Sequence, residues 1–266
     1  MLTKIKRRGF KIFTVAVTFG LTGFIAFLLF YILTYSGLPE FVKALVSRET
    51  LFALEMSLFT ATVSTVLCVL TALPAAYALA RYEFKGKSVV KTVIDVPLAL
   101  PSLVVGFGLL IFFGTTPMGK AMEDMGLVFV FTPLGIILAQ FTVNISSMVR
   151  VMKSTFASIN PRYEYVARTL GCSRTRAAVK VLLPMARQGL VAAVAITWSR
   201  SIGEFGAVIM IAGSTRMKTE TLPVSLFLNM ATGELEAAAA AASILIAISL
   251  ISLVIFEKYF KGKNYF

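Results

Sequence analysis

The chain predicts an all-α, polytopic membrane protein: six transmembrane helices, with a helical cytoplasmic loop between the fourth and fifth spans. Three observations predict it. Of 266 residues, 58% are hydrophobic and 15% charged, with a mean hydropathy of +0.85; that is more apolar surface than a soluble core hides. The apolar residues gather into six stretches, each long enough to cross about 30 Å of hydrocarbon at about 1.5 Å per residue. Lys and Arg, finally, crowd into alternate loops.

Taken in order, Lys4, Lys6, Arg7, Arg8 and Lys11 precede an apolar run from Ile12 to Thr34. The run exceeds the usual core of a cleavable signal, about 7 to 15 residues, and no small-x-small site follows, so it reads as a retained first span. Five more spans follow, Leu51 to Ala80, Thr92 to Phe113, Val128 to Val151, Gln188 to Ala212 and Ala237 to Phe256. The run Ala237 to Ala242 is a close-packing face, since small residues let helices approach in lipid. Residues 1–266 thus form a single transmembrane domain.

Loop charge sets the orientation. The amino terminus carries +5, the loop Arg81 to Lys91 +3, the interval Arg150 to Arg187 +7 and the carboxyl tail +2, against 0, −1 and −1 for the alternate loops. The positive side is cytoplasmic, which places both termini and the long loop of about 153–187 there. The balance of +13 therefore belongs to membrane topology and implies no nucleic acid. Cys68 and Cys172 offer no disulfide framework, and the absence of histidine argues against hydrolytic or metal chemistry. Gly86-Lys87-Ser88 lacks the glycine five residues before Gly86 that a phosphate-binding loop requires, so no catalytic residue and no nucleotide site is assigned to this chain.

Two features inside the spans rise above packing. Pro97 and Pro101 free backbone groups in the third span, where a broken helix is tolerated against protein or water, which places this span at the border of a translocation path; the alternative is a merely kinked helix in a bundle. In the fifth span Arg200 lies near mid-bilayer with Glu204 one turn on. Charges there are costly unless paired, which predicts a buried, mutually neutralising pair, structural or exposed in turn to a passing substrate.

The polar interval from Lys153 to Arg187 contains a short predicted helix, Pro161 to Leu170. Asn160 caps it, Pro161 suits its first turn and Gly171 its left-handed exit. Tyr163, Val166, Ala167 and Leu170 make an apolar stripe, with Glu164 and Arg168 as an i, i+4 pair beside it, and Ser173 caps a second helix running towards Pro184. So short a helix needs a groove, on its own chain or on a partner.

The spacing Tyr165-Val166-Ala167, three residues, Gly171, nine residues, then Val181, Leu183 and Pro184 resembles the cytoplasmic signature of permease subunits of ATP-binding cassette importers. The signature's Glu falls on Tyr165, with Glu164 one place earlier. The resemblance implies that Glu164, Tyr165, Val166, Ala167, Arg168, Leu170 and Gly171 form the contact with an ATPase. Arg200 to Gly213, continuing through Thr219-Glu-Thr-Leu-Pro-Val224, resembles the oxyanion importers of this family, molybdate and tungstate above all; sulfate permeases are similar but favour Tyr at the place of Phe205. The resemblance further implies a homodimer in a prokaryotic cell membrane, two cytoplasmic ATPase subunits that hold the ATP and Mg, and an external oxyanion-binding protein. A secondary transporter is the competing class; it needs internal repeats and midplane coupling-ion carboxylates, and neither is evident.

Overall fold

In hydrocarbon the hydrophobic effect does not drive helix against helix, so small residues that allow close approach decide where helices pack. The helix α3, Arg48–Arg81, carries such a row: Ala53, Ser57, Ala61 and Thr65, then Cys68, Ala72 and Ala76, all buried at four-residue or near-four-residue steps. Its main partner is α7, Pro133–Ser158, and Met148, Val149, Met152 and Phe156 of α7 fill the seam on one side of the molecule. This pair is the spine of an all-α fold; the computed structural model describes residues 2–260 and has no strand among them. Lys261 and Lys263 of the basic tail lie outside the described residues, as do the side chains of Lys4, Lys6, Arg7 and Arg8.

The remaining helices are α1 (Leu2–Tyr35), α2 (Gly37–Val46), α4 (Lys87–Ala99), α5 (Ser102–Thr115), α6 (Pro117–Asp124), α8 (Arg162–Thr169), α9 (Arg174–Ala177), α10 (Leu183–Met185), α11 (Arg187–Ile202), α12 (Gly206–Ala212), α13 (Leu222–Ala231) and α14 (Leu235–Phe260). A π-helical turn, Ala178–Leu182, joins α9 to α10. α11 packs in the groove between α3 and α7, and α14 lies outside on α11 and α13. Ala238, Ala240 and Ala241 are buried there, as the alanine run predicts. α1 rests on α14, and none of its side chains from Phe10 to Tyr35 is buried.

Among the described residues four helices are long and apolar enough to cross unbroken, and counting each bent pair as one span gives up to six; the second pair, Arg174–Met185 with Arg187–Ile202 at 75°, begins inside the interval expected to lie outside the fifth span. The third span is broken, as its prolines predict, and not merely kinked. α4 and α5 meet at 111° across Leu100 and Pro101. Pro101 makes the break because it has no N–H to donate and drives the residue before it into extended backbone, where Leu100 sits at ψ 144°. Pro97 is absorbed inside α4 and breaks nothing. The fifth span is also discontinuous, α11 ending at Ile202 and α12 resuming at Gly206. The loops expected outside the spans hold α2, α6 and α13; α6, for instance, starts where Thr116 Oγ1 accepts from Gly119 N at 3.1 Å and Pro117 takes the first position.

The two broken spans meet. A Cβ at Gly206 would stand 2.3 Å from Ser102 Oγ, and one at Gly106 would stand 2.6 Å from both Cα and the carbonyl oxygen of Ala207. Backbone cannot yield as a side-chain tip does, so α5 and α12 are held together through the bare face of Gly106. Gly106→Ala should therefore lower the thermal midpoint of the detergent-solubilised protein. Gly108→Ala, which meets nothing within 4 Å, should leave it unchanged or raise it, since Ala favours helix by about 1 kcal/mol. Equal effects of the two changes would contradict the close approach.

Candidate coupling element and path

The short helix of the signature interval forms as its sequence predicts. Asn160 Oδ1 accepts from Arg162 N at 3.0 Å, α8 begins there, and Gly171 leaves it at φ +89°, a conformation in which a side chain would be strained. Ser173 Oγ then accepts from Arg176 N at 3.3 Å and caps the segment that runs through the π turn to Met185. Tyr163, Tyr165, Val166, Arg168 and Leu170 are exposed, Leu170 at 81%, and Ala167 is half-buried. An exposed apolar face on a two-turn helix is the groove-seeking surface the sequence requires.

Glu164 does not belong to that surface. It is 6% exposed and points into its own chain, where Oε1 accepts from Arg81 Nε at 2.7 Å and Oε2 from the Tyr77 hydroxyl at 2.9 Å. Arg81 also donates through Nη2 to the Ile159 carbonyl at 2.9 Å, just before α8. The expected Glu164–Arg168 pair is thereby replaced: a buried carboxylate needs donors that are shielded as well, and Arg81 and Tyr77 of α3 supply one each, while Arg168 stays in solvent. α8 is thus tied to the second span as well as to the helices that flank it in sequence. Tyr77 and Arg81 were not singled out from the sequence, where Arg81 reads only as loop charge.

In the fifth span the sequence-predicted pair is also absent. Helical spacing would put Glu204 one turn beyond Arg200, but the helix stops at Ile202 and the register is lost. Glu204 Oε1 instead accepts from Ala207 N at 3.0 Å and satisfies a donor at the start of α12. Arg200 is exposed and makes no ion pair among the described residues. Of the prolines, Pro101 borders the contact between the two broken spans and Pro97 lies in α4, whose side chains are not buried.

A break inside a membrane exposes backbone that lipid cannot satisfy. Here Gln140 Nε2 donates to the Ser201 carbonyl at 2.9 Å and lies 3.3 Å from Thr60 Oγ1. Asn144 Nδ2 donates to Ser201 Oγ at 3.1 Å and to the Gln140 carbonyl at 3.0 Å, and Ser64 Oγ reaches Ser201 Oγ at 3.3 Å. All five residues are buried. The signal was present in sequence as two amides, Gln140 and Asn144, one turn apart inside the fourth span.

Long apolar helices, two interrupted spans in contact and a short helix with an exposed apolar face are the features of a polytopic membrane protein. The chain belongs to the family of binding-protein-dependent transport system inner membrane components, whose pattern matches residues 69–263. It is 33% identical over 215 residues to the sulfate transport system permease protein CysT of Escherichia coli (strain K12), covering 80% of this chain and 78% of that one. It is 32% identical over 247 residues to the molybdate/tungstate transport system permease protein WtpB of Pyrococcus furiosus, covering 88% and 92%. Among solved structures, a chain of a bacterial ABC transporter that imports the acidic polysaccharide alginate superposes with a TM-score of 0.76 at 15% identity, covering 99% of each chain. The methionine ABC transporter MetNI, inward-facing, gives 0.62 at 16% identity, covering 82% of this chain and 99% of that one. These last two are likenesses of fold. The chain is a multi-pass importer permease subunit and not itself an enzyme, and the secondary-transporter alternative falls.

The Arg81–Glu164 contact yields a prediction. Their side chains are 9% and 7% exposed, and stranding one charge of a buried pair costs about 3 to 5 kcal/mol. Arg81→Ala alone should destabilise the purified permease more than Arg81→Ala combined with Glu164→Ala. Additive losses of thermal stability in the four-member cycle would show that the two side chains do not interact. The same cycle on Arg200 and Glu204 should be additive.

Proposed function

We propose that this chain is the path-forming subunit of an ATP-driven molybdate or tungstate importer. It takes the anion from an external binding protein and works as a homodimer, with the path on the two-fold axis. Two cytoplasmic ATPase subunits hold the ATP and Mg and bind the exposed face of α8; this chain carries no cofactor. Both termini and α8 lie on the cytoplasmic side, the loop charges being the support for that orientation.

One observation carries the reading: Arg200 is exposed beside the break of the fifth span and makes no ion pair among the described residues. A mid-span cation without a carboxylate belongs on an aqueous path and not in lipid. There it offers charge and donors to a small tetrahedral dianion, while Glu204 is turned aside to cap α12. Molybdate or tungstate is favoured by the likeness to WtpB over most of both chains and by Phe205 in place of Tyr. Sulfate is the second reading, and the identity to CysT favours it.

Transport would follow from two bistable contacts. Closure of the ATPase pair draws the two α8 helices together, the Arg81–Glu164 tether carries that displacement into α3, and the broken spans repack to expose Arg200 to one side or the other.

Uptake into proteoliposomes, with the complete complex and loaded binding protein, tests the substrate. Molybdate or tungstate should accumulate with ATP, and Arg200→Gln should slow uptake about tenfold or more, the loss of one charge-assisted contact. ATP-driven accumulation of sulfate that excess molybdate leaves untouched would reverse the assignment in favour of sulfate.

Gly171 tests the coupling link. Gly171→Val should retain membrane insertion and dimer formation yet abolish ATP-driven uptake, because φ +89° is strained for a β-branched residue and α8 would be re-aimed. Near-normal uptake by this variant at normal ATPase occupancy would mean that force does not pass through the turn.

A further inference from the structure

Between α3 and the segment Arg174–Met185 lies an open cleft of about 350 Å³. Leu73, Pro74, Val179 and Leu182 form its walls, while Tyr82 and Arg174 stand at its rim. The walls are apolar and the rim is cationic. Arg174 is exposed, its guanidinium lies 5.3 Å over the Tyr82 ring, and it makes no ion pair among the described residues. Neighbouring acids are occupied elsewhere, Glu164 by Arg81 and Glu83 by Lys87 at 2.7 Å. Arg176 and Lys180, exposed on the same segment, add to the positive field.

Depth orders these features. Tyr82 caps α3 at its end, and Leu73 lies nine residues, about 13 Å, further into the helix. An occupant must therefore be anionic at the rim and apolar for about that length. A free oxyanion would leave the walls uncovered. A peptide would bring backbone N–H and C=O groups against walls that offer them no partners. An amphiphile meets both demands, and basic pockets between helices on the cytoplasmic side are recognition sites for anionic lipid headgroups. The π turn opposite α3 widens the segment that forms the outer wall, a distortion frequent at functional sites.

We propose that this groove holds the acyl chain of an anionic phospholipid, with its headgroup at Arg174. The inference rests on the reading above only in placing the α8 side of the molecule at the membrane face. Tyr77, which also lines the groove, donates to Glu164. A lipid seated there wedges α3 against the Arg174–Met185 segment beside the tether, which makes bilayer charge a regulator of coupling.

The test uses the intact complex in vesicles of phosphatidylcholine and phosphatidylglycerol at equal mole fraction. Benzoylphenylalanine incorporated at Val179, a partly exposed wall residue of the groove, is photolysed, and adducts on the permease chain are identified by mass spectrometry. Phosphatidylglycerol adducts should exceed phosphatidylcholine adducts about fivefold, the enrichment one arginine gives near an anionic headgroup. Arg174→Gln should bring the ratio to one. Equal adducts in the unaltered protein, a preference that survives Arg174→Gln, or adducts to the ATPase or to a second permease chain would each overturn the proposal. The readout needs neither substrate nor ATP, so failure of the substrate assignment leaves it standing.

Discussion

Hydrocarbon offers no partner to an open backbone group, and the two interrupted spans bend the rest of the protein around that constraint. α11 ends at Ile202, and the Ser201 carbonyl is met by Gln140 on α7 while Glu204 accepts from Ala207 N in the first turn of α12. The other interruption, at Leu100 and Pro101, needs fewer partners because proline removes a donor at the break. The elements that follow the two breaks then meet, Gly206 against Ser102 and Gly106 against Ala207. Once they are fixed in contact, α5, α7 and α12 must share one core, and Ile136, Val143, Val208 and Ile211 fill it.

At the other end of the spine the governing group is a carboxylate. Glu164 takes donors from Tyr77 and Arg81, both on α3, although its own helix is more than seventy residues further along the chain. A helix as short as α8 is not stable alone, so these bonds and the Arg81 contact with the Ile159 carbonyl hold it in place. What they leave outward is an apolar strip of Tyr165, Val166 and Leu170. Rigid inward attachment and outward apolar exposure are the two properties a transmitting element needs, and they come from alternate faces of eight residues.

Much of this was legible because it is local. The caps at Asn160 and Ser173, the glycine exit at Gly171, the span count and the alanine face near Ala240 follow from residues within a turn or two of one another. The tether was not legible, because nothing local to Glu164 distinguishes a partner on α3 from Arg168 four residues on. Nor was the loss of register at Gly203, which separates Glu204 from Arg200. Glycine in a span reads equally as a packing face and as a break, and only the Gln140 and Asn144 amides, on another helix, decide between them.

Along the proposed path, that separation of Arg200 from Glu204 would change the electrostatics an anion meets. A paired arginine is neutral at a distance and would present a dianion with no net attraction. An unpaired one attracts, and in a two-fold assembly with the path on its axis the charge would appear twice around one channel. Two cations facing each other across a narrow path repel in the absence of cargo and are bridged by a dianion in its presence. The anion then supplies differential binding between an open and a closed arrangement, which is the only way a ligand can shift such an equilibrium. In the importer proposed above, the carboxylate spent on capping α12 is what would leave the charge of Arg200 available to the substrate.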